Sequence, residues 1–261
     1  MAGSTAVIAD GIESAGDFLA SGIVAIGLMI AARPPDENHP YGHGRLETIS
    51  GLAVGVLLSI TGTTIGVSAM FRLEHLQGPP QTFGLWPLIA SVLIKSVLST
   101  WKFRYGRRLR SEALIADAWN DTVDILSGLV ALAALGLTLH DPARFLAADA
   151  IGGGLVGLIV IFLGVKVIRV TIMHLMDTMP DDETIAEIRR VALTVPGELN
   201  VEKCYARKTG FQFHVDLHLE VDPHLTVEQS HQIAGHVRRS IQRDLPWVAD
   251  VLVHVEPRRP Q

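Results

Sequence analysis

Five long apolar stretches constrain this chain more than any other feature of its sequence. They cover residues 4–32, 49–71, 83–101, 113–139 and 145–173. Each is close to the ~20 residues that an α-helix needs to cross the hydrocarbon core of a bilayer. A helix also satisfies its own backbone hydrogen bonds inside lipid. The first two thirds of the chain are therefore predicted to form an α-helical transmembrane bundle with five spans.

After Asp177 the sequence is rich in charged residues, and its apolar residues recur at short intervals, which predicts a soluble domain. The predicted elements are helix, strand, strand, helix and strand, over residues 181–194, 199–207, 211–221, 226–244 and 249–256. In the second strand, FQFHVDLHLEV, apolar and polar residues alternate, so one sheet face packs under the helices and the other carries histidine and acidic residues. We therefore divide the chain into a transmembrane domain, 1–176, and an α+β domain, 177–261.

The distribution of basic residues predicts the orientation in the membrane. Short loops rich in Lys and Arg stay on the cytoplasmic side. Residues 102–112 carry five basic side chains, whereas 72–82 and 139–147 carry one each. This places 102–112, the loop 33–45 and the α+β domain in the cytoplasm. Residue 1 would then lie outside without a basic flank or a cleavable signal, so we expect a further helix upstream.

Composition narrows the class of protein further. The hydrophobic fraction is 48%, the formal net charge is −5, and no basic stripe typical of a nucleic-acid binder is present. The single cysteine, Cys204, excludes an internal disulfide, and there is neither a CxxC pair nor an HExxH motif. We therefore expect a membrane protein that is not an enzyme, binds no nucleic acid and holds no prosthetic group.

Two of the apolar stretches contain the same polar pattern, IADGIESAGD in the first and IADAWNDTVD in the fourth. The match gives Glu13 and Asp17 the spacing of Asn120 and Asp124, four residues apart and so on one face of a helix. An Asp near the bilayer centre costs roughly 2.5–3.5 kcal/mol on insertion scales and usually serves a function. We interpret the two stripes as halves of one cation site; interhelical hydrogen bonding that holds the bundle together is the structural alternative.

Three carboxylates and one amide carbonyl form a hard, all-oxygen donor set. Such sets suit Mn²⁺, Mg²⁺ or Ca²⁺ and accept Fe²⁺ more readily than they favour Zn²⁺ or Cu⁺. Carboxylates bind metal only when deprotonated, and desolvation raises their pKa, so protons and metal compete for the site. This competition predicts exchange transport. Asp117 repeats Asp10 in the pattern, but neither of them, nor Asp121, has a role assigned from the sequence.

Two further groups of potential metal ligands lie outside the apolar stretches. The loop PPDENHPYGHGRLE contains Asp36, His39 and His43, and its His-x3-His spacing with a nearby carboxylate is reasonable for a divalent metal. On the open face of the predicted sheet, the strand VLVHVEP adds His254 and Glu256 to the polar residues of HVDLHLEV. That face is interpreted either as ordinary solvated surface or as a site for metal or a second subunit.

Together these stretches resemble the cation diffusion facilitator, or cation efflux, family over nearly the whole chain. The resemblance rests on AGSTAVIADGIESAGDFLASG, PPDENHPYGHGRLE, ALIADAWNDTVDILSG, AADAIGG, HVDLHLEV and VLVHVEP. It implies six transmembrane helices, the first of which would precede this sequence, and a cytoplasmic ferredoxin-like domain. It also implies a homodimer that exports divalent metals in exchange for protons.

The resemblance also implies roles for individual residues. The family's transport site falls on Glu13, Asp17, Asn120 and Asp124; its loop site on Asp36, His39 and His43; its cytoplasmic metal site on His218, His231, His254 and Glu256; and a charge interlock near the membrane face of the dimer on Arg45 and Asp177. Zinc exporters of the family usually have His or Asp where Glu13 and Asn120 stand here. The expected substrate is therefore Mn²⁺ or Fe²⁺ rather than Zn²⁺, with Co²⁺ and Ni²⁺ open, and such metals are also the expected regulatory ligands.

Two functions remain open at this stage. The first is a proton-coupled efflux transporter for divalent cations in the cell (inner) membrane, whose partners are metal ions, protons, lipid and a second copy of the chain. The second is a non-transporting metal-sensing or scaffold membrane protein of the same family, whose cytoplasmic dimer reports metal.

Overall fold

The computed structural model describes residues 20–74, 85–140 and 148–258. The predicted ligands Glu13 and Asp17 lie outside these ranges. The chain divides between Ile172 and Met173 into two compact units, the first containing the apolar stretches and the second the charged tail.

The described secondary structure of the first unit is helical. Its helices are α1, Ala20–Ala31; α2, Arg45–Glu74; α3, Leu85–Leu109; α4, Glu112–His140; and α5, Ala148–Leu175. Each helix lies on one of the five apolar stretches. By length and composition, two described segments are suited to crossing a membrane, Arg45–Phe71 and Ile151–Leu175. The number of spans therefore stays a prediction.

Glycines allow α2 and α5 to approach closely. A Cβ added to Gly157 would lie 2.7 Å from the backbone nitrogen of Gly66, and one added to Gly62 would lie 2.7 Å from that of Ile161. Real Cβ atoms do not come this close, so larger residues would push the helices apart. Lipid tails are as apolar as leucine, and membrane helices therefore associate through the tight packing that small residues permit.

A sharp reversal joins α3 to α4. Arg110 adopts a left-handed backbone conformation with φ 54°, and the buried hydroxyl of Ser111 accepts a hydrogen bond from Leu114 N at 3.1 Å. Glu47, in the first turn of α2, is also buried here. Its Oε1 accepts from Ser111 Oγ at 2.8 Å and from Ala113 N at 2.9 Å. A carboxylate at a helix N-terminus satisfies unpaired N–H groups and complements the helix dipole.

Between residues 177 and 258, the second unit has two helices and a three-stranded sheet. Its elements are α6, Asp182–Ala192; β1, Glu198–Thr209; β2, Gln212–Val221; α7, Val227–Asp244; and β3, Val248–Pro257. The predicted order is confirmed, and the ends agree to within two residues. The strands lie in the order β1-β2-β3, with β1 antiparallel and β3 parallel to β2. A parallel neighbour requires a crossover, which α7 provides. The arrangement is ferredoxin-like.

The core of the second unit lies between the helices and one face of the sheet. Every second residue of β2, from Phe213 to Val221, is buried, which confirms the predicted alternation. Ile188 of α6 and Ile241 of α7 pack into the same core. Cys204 of β1 is buried there as well, and burial raises the pKa of its thiol to about 11. The thiol is therefore protonated at neutral pH, as expected of a structural residue.

We expect Leu217→Ala to destabilise the second unit by about 3 kcal/mol, because Leu217 is fully buried and its truncation leaves a cavity in a close-packed core. The free energy of unfolding is measured by chemical denaturation of the purified protein, with protease susceptibility of the second unit as the readout of its unfolding. Leu252→Ala is the matched control, because Leu252 is 66% exposed. Equal stability losses in the two variants would contradict the assignment of this core.

Candidate metal centres

The described half of the predicted transport site lies on α4. Asn120 and Asp124 are four residues apart and share one face of the helix. Asn120 is buried, and the side chain of Asp124 is 11% exposed. The carboxylate of Asp124 is paired with α3, where Lys95 Nζ lies 2.5 Å from its Oδ2. Lys95 is the single lysine in the apolar stretch 83–101, which is the feature by which the sequence could have indicated it. The sequence analysis did not predict its pairing with Asp124.

A second ion-paired group explains the two aspartates that the sequence left without a role. Lys102 of α3 places its Nζ 2.8 Å from Asp117 Oδ2 and 2.8 Å from Asp121 Oδ2. Both aspartates are buried, and Ser21 Oγ of α1 donates to Asp117 Oδ1 at 3.1 Å. Buried charges require partners, because an unpaired charge loses its hydration without compensation. These carboxylates therefore hold α1, α3 and α4 together.

The two groups form one polar seam between α3 and α4, which we define as Lys95, Lys102, Ser99 and the α4 side chains that they contact. The lysines are seven residues apart on α3, and Asp117 and Asp124 are seven apart on α4. Seven residues are close to two helical turns, so the two pairs stack along the antiparallel helices. Between them, Ser99 Oγ donates to the Ala118 carbonyl at 3.0 Å and lies 2.9 Å from Thr122 Oγ1.

The loop between α1 and α2 brings Asp36, His39 and His43 together. Asp36 Oδ1 lies 3.1 Å from His39 Nδ1, and its Oδ2 lies 3.3 Å from His43 Nε2. The ring centroids of the two histidines are 4.4 Å apart. One ligand atom from each residue lies within 4.8 Å of the others, a separation that one divalent cation can bridge. The three predicted metal ligands of the loop therefore lie close together in the structure.

Local backbone geometry holds the Asp36 carboxylate in place. Its Oδ1 accepts from the backbone N–H groups of Asn38 at 3.0 Å and His39 at 2.7 Å. The backbone hydrogen bond from His39 is the main cause that lowers the pKa of Asp36 below its usual value, so the carboxylate is ionised at neutral pH. The buried Nδ1 of His43 has no hydrogen-bond partner among the described residues. The donor set thus fits a divalent cation.

A third group of potential metal ligands lies on the open face of the sheet. In the parallel register His218 of β2 stands opposite His254 of β3, with their ring centroids 5.0 Å apart. Glu256 Oε1 lies 2.5 Å from His218 Nδ1 and 3.6 Å from His254 Nε2. The hydrogen bond from His218 is the main cause that holds the pKa of Glu256 below its usual value. Two imidazoles and a carboxylate with ligand atoms within 4.8 Å suit a transition metal.

The remaining predicted residues lie apart from these groups. His231 is exposed on α7 and does not belong to the cluster of His218, His254 and Glu256. Arg45 is the exposed first residue of α2, and Asp177 has a left-handed backbone conformation with φ 57° shortly after α5. A regulatory role for His231 and a charge interlock of Arg45 with Asp177 stay predictions.

Comparisons with known proteins find relatives along nearly the whole chain. The manganese efflux system protein MneP of Bacillus subtilis is 34% identical over 260 residues, which cover 97% of this chain and 87% of MneP. Magnetosome protein MamB of Paramagnetospirillum magneticum is 29% identical and is matched over 98% of this chain and 86% of MamB. A solved structure of the MamM CTD in a cadmium form is 28% identical, with a TM-score of 0.29, and covers 30% of this chain and 98% of that chain.

Two family models together match almost the whole sequence. Residues 1–176 match the Cation efflux transmembrane domain, and residues 180–258 match the domain ZT_dimer, described as Cation efflux protein, cytoplasmic domain. The chain therefore belongs to the cation efflux, or cation diffusion facilitator, family of metal transporters.

Proposed function

We propose that this protein exports divalent transition-metal cations across the cell membrane in exchange for protons, and that it favours Mn²⁺ or Fe²⁺ over Zn²⁺. The observation that carries the proposal is the oxygen-only half-site on α4, in which Asn120 is buried and Asp124 pairs with Lys95. Carboxylate and amide oxygens are ligands that Mn²⁺ accepts readily, whereas zinc sites rely more on imidazole and thiolate. The 34% identity to a protein named as a manganese efflux system supports the same preference.

Glu13 and Asp17 would supply the other half of the site. Ser21, four residues after Asp17 in the sequence, donates a hydrogen bond to Asp117 on α4. This contact brings the described start of α1 against the helix that carries Asn120 and Asp124, which supports pairing of the two stripes. Proton coupling follows from chemistry: a carboxylate releases its proton to bind metal and takes one up after the metal leaves.

The other two groups would serve regulation rather than transport. The loop group and the cluster of His218, His254 and Glu256 both lie outside the predicted spans, so metal bound there reports the cytoplasmic concentration. The match to the ZT_dimer domain supports a homodimer, in which the cytoplasmic domains associate. On this proposal the partners are metal ions, protons, lipid and a second copy, and the protein is not an enzyme.

A second candidate function is metal sensing or scaffolding without transport. The specific observation in its favour is the imidazole-rich cluster on the sheet, which is a complete three-residue group without any help from the transmembrane helices. The 29% identity to a protein named as a magnetosome protein is also compatible with a role other than bulk efflux. The two candidates differ in whether metal crosses the membrane.

Asp124→Asn is expected to reduce Mn²⁺-driven proton flux by about 100-fold or more, because even the loss of a residue that only supports a metal ligand lowers metal affinity or activity roughly 10- to 100-fold. Proteoliposomes loaded with a pH-sensitive dye measure the flux. Asp244→Asn is the matched control, since Asp244 pairs with Arg243 on the protein surface. Wild-type flux in the Asp124 variant would rule out this half-site, and absence of flux in the wild type would favour the sensor.

Asn120→His is expected to shift selectivity toward Zn²⁺ by about tenfold relative to Mn²⁺, because an imidazole nitrogen replaces a hard amide oxygen. Competition between the two metals for uptake into proteoliposomes measures the ratio directly. Ser99→Ala, which removes a seam hydroxyl but no predicted ligand, controls for general disturbance of the helices. An unchanged metal ratio in the His variant would show that Asn120 does not face the transported ion.

Combined substitution of His218 and His254 by alanine separates the two candidate functions. A transporter should keep its maximal flux within about threefold and lose only the dependence of that flux on cytoplasmic metal, because the cluster lies outside the transport path. A sensor should lose its whole metal response. Flux at saturating Mn²⁺ and binding of Zn²⁺ to the purified protein are the two measurements, and His224→Ala provides an exposed histidine control on the same unit.

A further inference from the structure

Lys95 contacts the residue most closely tied to transport. Its Nζ lies 2.5 Å from Asp124 Oδ2, and the two side chains are 26% and 11% exposed. A lysine inside a membrane helix is unfavourable, and such residues are usually paired and functional. The structure thus places an ammonium group on a carboxylate that is predicted to bind metal.

We propose that the ammonium group of Lys95 neutralises Asp124 when no metal is bound. The incoming divalent cation then displaces Lys95 from Asp124. The inference rests on the proposed function, because it assigns Asp124 to the transport site. Lys95 is then a positioning residue that sets metal affinity and release, and it is not itself a ligand, because an ammonium group is a donor and offers no lone pair.

The second lysine of the seam shows how a purely structural pair differs. Lys102 lies between two buried carboxylates, one of which also accepts a hydrogen bond from Ser21, and neither belongs to the predicted four-ligand set. Its side chain is 14% exposed, about half the exposure of Lys95. Displacing Lys102 would leave two buried charges uncompensated, whereas a cation that replaces Lys95 compensates Asp124 itself.

The chemistry of lysine suits this exchange. An ammonium on a flexible four-carbon stem can withdraw from Asp124 while its helix stays in place. An ammonium group and a divalent cation on the same carboxylate repel each other at short range in a poorly hydrated interior, so binding of one disfavours the other. When metal leaves, the return of Lys95 prevents an uncompensated carboxylate in the membrane. Competition thus weakens metal binding and speeds metal release.

Lys95→Met tests this directly, because methionine keeps an unbranched side chain but has no charge. The variant should bind Mn²⁺ roughly 10- to 100-fold more tightly by calorimetry of the detergent-purified protein, because metal no longer competes with a charge-assisted hydrogen bond. In proteoliposomes its KM should fall and its kcat should fall as well. Lys95→Arg, which retains the charge, should restore both values toward the wild type. Lys166→Met, an exposed lysine on α5, is the matched control.

A measurement on the unaltered protein does not depend on any variant folding. Labelling with an amine-reactive reagent, read by mass spectrometry, should modify Lys95 several-fold faster in saturating Mn²⁺ than in chelator, because the displaced amine is no longer held by Asp124. Lys102 serves as the internal control, and its labelling should not change with metal.

Three results would overturn the proposal: unchanged or weaker Mn²⁺ binding by folded Lys95→Met, loss of the folded dimer in that variant together with metal-independent labelling of Lys95, or equal effects in the Lys166 control. The proposed function fails differently. In that case the wild type itself shows no Asp124-dependent Mn²⁺ binding or flux, whereas failure of the present inference leaves both intact.

Discussion

Pairing of charges between α3 and α4 is the interaction on which the helical unit depends. Lys95 pairs with Asp124, and Lys102 pairs with Asp117 and Asp121, at ion-pair distances. Hydrocarbon does not hydrate a charge, so the buried group of Lys102, Asp117 and Asp121 holds the two helices in one register. The contact with Lys95 orients Asp124, a predicted metal ligand, on the same helix, so helix packing and the position of Asp124 have a common origin.

Two other features orient α4 and connect it to the rest of the unit. Glu47 of α2 accepts hydrogen bonds at the N-terminal end of α4, and Ser21 of α1 bonds to Asp117 one turn before Asn120. The helix that carries Asn120 and Asp124 is therefore restrained by three neighbouring helices. A transport site has to bind a cation tightly enough to select it and then release it. On the proposed function, Asp124 on a restrained helix and Lys95 on a flexible side chain would meet these two requirements.

The sequence predicted the elements of the second unit well because its signals are local. Alternation in FQFHVDLHLEV predicted both the buried face of β2 and the position of His218 on the opposite face. The loop PPDENHPYGHGRLE likewise brings its ligands together within eight residues, so its spacing was informative. Lys95 and Lys102 differ in this respect, since the partners of each lie roughly 15 to 30 residues away on another helix. Periodicity assigns a residue to a helix face but does not tell which helix that face meets.

The sequence by itself determined the class of the protein, its two-part organisation, the family to which it belongs and the residue types offered to a metal. Local hydropathy and short spacings suffice for these, because helices and strands bury whatever face is apolar. Only the tertiary structure decided which groups meet: the register that sets His218 opposite His254, the lysine that lies on Asp124, and the pairing of Asp117 and Asp121 with Lys102. These contacts depend on the packing of separate helices and strands, in which a shift of one residue would turn every side chain toward a different neighbour.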